Sequence, residues 1–312
     1  MKSGITVAGT LLVDRLNEIS AYPASGELTK IHAVSRSVGG LVPNVGIDLK
    51  RICPELTVKA AGLIGDDADG AFIKKTLADA GLDVSGLREC GERTSFTDVM
   101  SVTGGQRTFF TYAGACARFG ADSIGEIDTK MLHLGYFLLL DRVDAGDGLA
   151  ILKSAKEQGL YTSIDLVSEN SDRYSLVRPC LEYVDLLVIN EAEAAGLTGH
   201  TDLEKAARAL RDMGVRERVL IHRKDVAVCL SGNGFTSMGS VDVPREYIKG
   251  TTGAGDAFCA GALVAAHRGD GDKEMLELAT QTAVMALGSH DATSGIKTEA
   301  ETRKFCAQFP RM

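Results

Sequence analysis

The most constraining feature of the sequence is a regular alternation of apolar runs and amphipathic segments beyond residue 120. Apolar runs suited to strands lie at 131–134, 160–166, 185–189 and 218–222, and helical periodicity lies at 147–158, 191–196 and 202–213. The clearest helix spaces its apolar residues three and four positions apart, at Leu203, Ala206, Ala207, Leu210 and Met213. Strands that alternate with helices form a parallel sheet covered on both faces. The sequence therefore predicts an α/β fold.

The first half of the chain continues this pattern with two interruptions. Strands are predicted at 4–9 and 57–64, and amphipathic helices follow both of them. The segment at about 16–38 is instead polar and alternating, which is typical of exposed antiparallel strands, and the segment at 94–112 alternates around Gly104-Gly105, which predicts a hairpin turn. We expect these two segments to form a small separate sheet, a lid, within one domain spanning residues 1–312.

A glycine-rich stretch at 248–258 precedes an apolar helix. Such a turn presents unpaired backbone N–H groups and the positive end of the helix dipole, which favours an anion such as phosphate. The spacing from Gly250 to Gly255 matches a P-loop, but Asp256 stands where the lysine belongs. Asp256 therefore either accepts a proton from an attacking hydroxyl or caps the helix.

Composition limits the kinds of partner. The net charge of −8 argues against broad binding to nucleic acid or to an anionic membrane, and no apolar run reaches the ~18 residues that span a bilayer. The seven cysteines are scattered without a C-x-x-C motif, which favours neither a disulfide framework nor a zinc knuckle. We expect a cytoplasmic protein that binds a small molecule.

Polar and glycine residues recur where predicted strands end, the edge at which open α/β sheets bind ligands. They are Asp14, Gly39, Gly40 with Asn44, Asp66, Asp67, Asn190 with Glu193, and residues 253–256. Each one alone is compatible with turn or cap chemistry. Their recurrence at the ends of predicted strands favours a ligand-binding site.

These motifs resemble those of the ribokinase-like (PfkB) family of carbohydrate kinases, and the resemblance covers nearly the whole chain. Residues 253–256 resemble the G-A-G-D signature, Gly39-Gly40 with Asn44 the first signature, and residues 190–193 the N-x-x-E motif. The resemblance implies a three-layer ribokinase-like fold with a small β-sheet lid. It also implies ATP-dependent phosphorylation of a hydroxyl group on a small sugar.

The resemblance assigns roles to the motif residues. Asp256 is expected to be the catalytic base, with an anion hole made by the N–H groups of Gly253, Ala254 and Gly255. The sugar is expected to contact Asp14, Gly39, Gly40 and Asn44. The nucleotide is expected to contact Asn190, Glu193, Thr251 and Arg223, and Glu193 to hold Mg²⁺ through water. The family also suggests a homodimer formed through the lid.

Two departures from the family pattern affect the nucleotide site. The family's Thr-x-Gly-x-x-Gly segment is replaced by residues 222–227, His-Arg-Lys-Asp-Val-Ala, so Arg223 either contacts phosphate or lies in a solvated turn. Gly250 replaces an aspartate that in the family helps to ligate a monovalent cation. We therefore expect activity to depend little on potassium.

Two other functions stay open. Phe96, Phe109, Phe110 and Tyr112, near the lid, suit base stacking in a nucleoside kinase of the same fold, although aromatics on strands also form lid core or dimer contacts. The altered residues 222–227 are compatible with a sugar-binding protein that has lost turnover.

Overall fold

The computed structural model describes residues 2–102, 107–168 and 172–312. Strands in these ranges are β1 (Ile5–Ala8), β2 (Leu12–Ile19), β3 (Ile31–Gly39), β4 (Val58–Gly65), β5 (Asp83–Cys90), β6 (Ser95–Val102), β7 (Arg107–Tyr112), β8 (Met131–Phe137), β9 (Tyr161–Leu166), β10 (Leu186–Asn190), β11 (Arg218–His222), β12 (Val226–Ser231) and β13 (Gly234–Gly239). The α-helices in the same ranges are α1 (Leu41–Ile52), α2 (Ala68–Asp79), α3 (Gly148–Glu157), α4 (Glu191–Thr198), α5 (Leu203–Asp212), α6 (Ala254–Arg268), α7 (Asp272–Ala286) and α8 (Glu299–Cys306).

The larger sheet has the strand order β13-β12-β11-β10-β9-β8-β1-β4-β5. Neighbouring strands from β11 to β5 pair in parallel, whereas β12 and β13 return antiparallel at one edge. The strand order reverses direction at β1, and parallel sheets bind ligands at the carboxyl ends of their strands. The predicted parallel sheet is confirmed.

Helices cover both faces of this sheet. Alternate residues of one strand enter different hydrophobic clusters: Val188 packs in the cluster that holds α1, α6 and α7, and Ile189 in the cluster that holds α3, α4 and α5. This alternation follows from the two-residue period of a strand buried on both faces. The three-layer α/β fold is therefore confirmed. No helix in the described ranges is long and apolar enough to cross a membrane.

The smaller sheet has the order β3-β2-β6-β7 and corresponds to the predicted lid. β2 pairs antiparallel with β3 and parallel with β6, and β6 pairs antiparallel with β7. Two arginines of the lid, Arg15 and Arg36, form ion pairs with Asp69 on α2, which fastens the lid to the body of the protein. The turn predicted at Gly104-Gly105 lies outside the described residues.

The structure differs from the sequence prediction at two kinds of place. The lid begins at Leu12 rather than near residue 16, so Asp14 lies within β2 and not in a loop after β1. β5 and α8 have no counterpart in the prediction, because both carry many polar residues and lie at the edge of the protein. β5 pairs with β4 alone, so its sequence lacks the apolar run of a central strand.

Candidate active site

The glycine-rich stretch forms the turn that begins α6. Gly253 has φ of 78°, and a Cβ at this position would lie 2.5 Å from Ala292, so both conformation and space require glycine. The Ala254 N–H donates to the Thr251 carbonyl at 3.3 Å and closes the turn. The first N–H groups of α6 therefore point out of the helix end at this turn.

Asp256 is on the first turn of α6 and only 8% exposed. Its carboxylate accepts a hydrogen bond from Asn44 Nδ2 at 2.9 Å, and the Tyr136 hydroxyl lies 2.9 and 3.0 Å from its two oxygens. Burial, assisted by the negative charge of Asp165, raises the pKa of Asp256 to about 7, against the two hydrogen bonds that lower it. Among the described residues, the hydrogen bonds of this side chain go to Asn44 and Tyr136 and not to the start of its own helix. Asp256 is thus a buried carboxyl poised to exchange a proton near neutral pH.

Tyr136 is placed by a strained backbone just before β8 ends. Its φ is 58°, an uncommon value for a residue with a side chain, and its N–H donates to Asp165 Oδ1 at 2.7 Å. That bond fixes the turn and directs the phenol at Asp256, which lies 120 residues away in sequence. Neither Tyr136 nor Asp165 was predicted, because Asp165 lies within the predicted strand 160–166 rather than after it, and Tyr136 belongs to no motif.

The glycine pair Gly39-Gly40 sits where the lid passes into α1. Gly40 has φ of 90°, and the next residue, Leu41, donates its N–H to Thr10 Oγ1 at 2.8 Å, so Thr10 caps this helix. A Cβ on Gly39 would overlap the carboxylate of Asp14. The structure therefore places Asp14 beside Gly39, while Asn44, on the first turn of α1, contacts Asp256.

The carboxyl of Asp14 is partly buried, and desolvation raises its pKa to about 6. Because this value is still below neutral pH, most Asp14 side chains are ionised there and can accept hydrogen bonds.

A first cavity of about 310 Å³ opens at the start of α6. Its wall includes Tyr136, Asp165, Ser168, Asn190, Glu193, His222, Gly253, Gly255, Asp256 and Cys259. The ends of β8, β9, β10 and β11 thus meet α6 around one space. Of the twelve residues predicted for the site, five line it: Asn190, Glu193, Gly253, Gly255 and Asp256.

Asn190 and Glu193 form a capping box at the start of α4. The Asn190 side chain accepts from the N–H of Glu193 at 2.9 Å, and Glu193 Oε2 accepts from the N–H of Asn190 at 2.9 Å. Glu193 Oε1 also accepts from Ser168 Oγ at 2.8 Å. Burial raises the pKa of Glu193 to about 7. These bonds hold a carboxylate at the wall of the first cavity, where a cation would neutralise it.

A second cavity of about 570 Å³ lies beside the first and has a largely apolar wall. Thr251 and Arg223 line it, as do Asn190 and Ala254, and its apolar members include Val241, Val243, Ile248, Phe258 and Leu287. The Arg223 guanidinium forms a two-bond pair with the Asp225 carboxylate, at 2.6 and 2.9 Å, in an exposed turn. Arg223 therefore lies in an exposed turn that also borders the second cavity, and its contact with phosphate stays a prediction.

His222 lies between the two cavities and lines both. Its ring centroid is 4.7 Å from that of Phe258, and burial lowers its pKa to about 4, so the imidazole is neutral. The sequence identified residue 222 only as a departure from a motif. Its position beside Gly255 and the helix end depends on the fold.

The loop around Gly250 packs on residues 288–295. A Cβ on Gly250 would lie 3.2 Å from the Ser289 carbonyl oxygen, and the Ser289 hydroxyl donates to the Asp291 carbonyl at 2.7 Å. Backbone oxygens therefore lie near this turn, but Gly250 contributes no carboxylate.

Known kinases resemble this chain in sequence and in fold. The ribokinase of Arabidopsis thaliana is 25% identical over 293 residues, which cover 91% of this chain and 76% of that protein. The ATP-dependent ribose-1-phosphate kinase of Halopiger xanaduensis is 29% identical over 295 residues, 93% of this chain and 92% of its own. The solved structure of Arabidopsis thaliana ribokinase complexed with ribose and ATP shares the fold, with a TM-score of 0.84 at 22% identity and coverage of 98% and 99%.

The family model described as pfkB family carbohydrate kinase matches residues 5–299. That match spans the large sheet, the lid and the glycine-rich turn of α6. The chain therefore belongs to the pfkB family of carbohydrate kinases.

Proposed function

We propose that this kinase transfers the γ-phosphoryl group of ATP to a hydroxyl of a small sugar, with Asp256 as the general base. The observation that carries the proposal is the buried Asp256 carboxyl, with a pKa of about 7, on the first turn of a glycine-started helix beside a cavity. A base is most effective when its pKa lies near the working pH.

Asp256 takes the proton of the sugar hydroxyl as that oxygen attacks the γ-phosphorus. Tyr136 and Asn44 hold the carboxylate in position through the hydrogen bonds described above. The N–H groups at the start of α6, from Gly253, Ala254 and Gly255, stabilise the charge of the transferring phosphoryl group. Ala254 contributes less than the other two, because its N–H is partly engaged by Thr251.

The nucleotide occupies the second cavity with its phosphates directed into the first. The apolar wall near Val243 and Phe258 suits a purine base, and Thr251, Arg223 and Asn190 lie where they can contact the ribose or phosphates. Mg²⁺ bound with the nucleotide supplies charge neutralisation on the phosphates. The capping box of Asn190 and Glu193 fits this ion, because Mg²⁺ commonly keeps its waters and is held by carboxylates through them.

The sugar lies between the lid and α1. Asp14 accepts hydrogen bonds from sugar hydroxyls, Asn44 both donates and accepts, and Gly39 and Gly40 let the backbone approach the ring. Lid and body act as one domain of residues 1–312, because this site needs Asp14 from the lid and Asn44 with Asp256 from the body.

The lid also suits a dimer contact. Its two edge strands expose apolar side chains, Val34 on β3 at 70% and Phe109 and Phe110 on β7 at 62% and 58%. Pairing with the lid of a second copy would cover them. Sedimentation of the purified protein tests the dimer, and a monomer at all concentrations would contradict it.

The seven cysteines are all free thiols, which fits a reducing cytoplasm.

The activity is tested by ADP release with MgATP and a panel of pentoses, hexoses, pentose phosphates and nucleosides. The proposal predicts release with at least one sugar and loss of release in Asp256→Asn. Turnover of nucleosides alone would show a nucleoside kinase. Sugar binding with no ADP release from any acceptor would show a binding protein.

A further inference from the structure

Three buried side chains with metal-binding atoms converge behind the first cavity. Cys259 is on α6, one turn beyond Asp256, while His133 comes from β8 and Asp165 from β9. The Cys259 sulfur is 3.6 Å from His133 Nε2, and Asp165 Oδ2 is 3.7 Å from the same nitrogen. The three ligand atoms all lie within 4.8 Å of one another. The mechanism proposed above uses none of these three groups on the reacting atoms.

These separations are close to those around a tetrahedral zinc ion. Metal distances of about 2.3 Å to sulfur and about 2.0–2.1 Å to nitrogen or oxygen give ligand separations of about 3.3–3.6 Å at a tetrahedral angle. The observed distance of 3.6 Å from Nε2 to sulfur lies at the upper end of that range, and the observed 3.7 Å from Nε2 to Oδ2 exceeds the about 3.3–3.4 Å expected for nitrogen and oxygen by about 0.3–0.4 Å. A zinc ion would draw Asp165 Oδ2 a few tenths of an ångström toward His133, and the third separation, between the Cys259 sulfur and Asp165, is within 4.8 Å.

Neighbouring hydrogen bonds orient the ligand atoms. His133 Nδ1 lies 3.0 Å from Ser163 Oγ, so donation from Nδ1 leaves the lone pair of Nε2 facing Cys259 and Asp165. Asp165 Oδ1 is occupied by the N–H of Tyr136 at 2.7 Å, which leaves Oδ2 for the cluster. Such second contacts are the usual supports of metal-ligating histidines and carboxylates.

Charge and access also suit a dication. A thiolate, a carboxylate and a neutral imidazole together balance a charge of +2, so the filled site would be neutral in a buried setting. Asp165 and Cys259 both line the first cavity, which gives an entry path and leaves a fourth coordination position facing that cavity. A thiolate ligand favours Zn²⁺ over the harder Mg²⁺.

We propose that Cys259, His133 and Asp165 form a Zn²⁺ site at the floor of the first cavity, and that its occupancy inhibits the kinase. A bound ion would share the cavity with Asp256 and the transferring phosphoryl group. The inhibition rests on the proposed function, so metal binding is measured separately from activity.

The test titrates chelator-treated, full-length protein with Co²⁺ in the presence of excess Mg²⁺. The proposal predicts one Co²⁺ per chain with thiolate-to-cobalt charge-transfer absorption, and loss of that absorption when Zn²⁺ displaces Co²⁺. Cys259→Ser and His133→Gln should each abolish the absorption. The matched control is Cys53→Ser, which changes another buried thiol that contacts a carboxylate, Glu55 at 3.1 Å, and should leave the absorption unchanged.

A wild-type protein without this absorption, or absorption that survives Cys259→Ser, would overturn the site and reduce the cluster to a buried S–H···N hydrogen bond. If a variant fails to fold, anomalous diffraction from Zn²⁺-soaked wild-type crystals decides: a peak among the three ligand atoms supports the site, and its absence contradicts it. Metal binding without inhibition of ADP release would support the metal site and contradict the proposed inhibition. Absence of ADP release with every acceptor would instead refute the proposed kinase function.

Discussion

The contact between the Tyr136 hydroxyl and Asp256 allows the change in the pKa of the base to be predicted when that hydroxyl is removed. Tyr136→Phe removes the hydroxyl that lies 2.9 and 3.0 Å from the two carboxylate oxygens and leaves the bond from Asn44 in place. A hydrogen bond to a charged group contributes about 1.5–3 kcal/mol. Since one pKa unit corresponds to about 1.36 kcal/mol, we expect the pKa of Asp256 to rise by about 1–2 units.

The expected effect on rate follows from the ionised fraction of the base. Asp256 begins with a pKa of about 7, so about half of it is ionised at pH 7. A pKa of about 8–9 would reduce that fraction to between about a tenth and a hundredth, and kcat at pH 7 would fall about 5- to 50-fold. The rate should recover at higher pH, because the base itself is still present.

The assay is the pH dependence of kcat from ADP release, with both substrates saturating, for wild type and Tyr136→Phe. The matched control is Tyr161→Phe, which removes a hydroxyl at the opposite end of β9 from Asp165 and should leave the profile unchanged. An acid limb that stays at the wild-type position in Tyr136→Phe would show that the Tyr136 hydroxyl does not set the pKa of Asp256, whatever the size of the rate loss.

Three further predictions concern the sugar, the cation and stability. Asp14→Ala should raise the Michaelis constant for the sugar about 10- to 150-fold, the equivalent of about 1.5–3 kcal/mol, and leave the Michaelis constant for ATP little changed. A Michaelis constant for the sugar equal to that of the wild type would remove Asp14 from the site. Adding potassium to potassium-free buffer should change kcat little, because Gly250 supplies no carboxylate, and a several-fold rise would show that backbone oxygens suffice. Asp48 on α1 is fully buried with no hydrogen-bond partner among the described residues, and burial raises its pKa well above 3.8. The folded chain therefore keeps a proton that the unfolded chain loses above about pH 4, so the free energy of unfolding falls as pH rises from there. Asp48→Asn should make this fall smaller when urea unfolding is compared at about pH 5 and about pH 8. An unchanged dependence of the unfolding free energy on pH would contradict the prediction.

The fold was predictable where burial leaves a simple pattern. Central strands such as β10, buried on both faces, are continuous apolar runs, and helices such as α5 place apolar residues on one side. β5 was missed because an edge strand buries few of its side chains, so Asp83–Cys90 has no continuous apolar run. Asp14 was placed after β1 because nothing in the sequence marks where the chain leaves the large sheet for the lid.

The site was predictable only where its residues form local motifs. Asp256 and its glycines, Asn44 after the glycine pair, and Asn190 with Glu193 each stand in a short recognisable stretch. Tyr136, Asp165 and His222 do not, because each is an ordinary core-type or polar residue whose role comes from the meeting of strand ends far apart in sequence. The cluster of Cys259 with His133 was missed for the same reason, since 126 residues separate them.

The role of Asp256 as general base is tested by the variant Asp256→Asn. Asparagine keeps the size of the side chain and can still contact Asn44 and Tyr136, so the fold and the binding of sugar and MgATP, measured by calorimetry, should be retained. The rate constant of phosphoryl transfer, measured in a single turnover, should fall by roughly 10²–10⁴, the usual contribution of a general base. A variant that binds both substrates and turns over at a near-normal rate would contradict it.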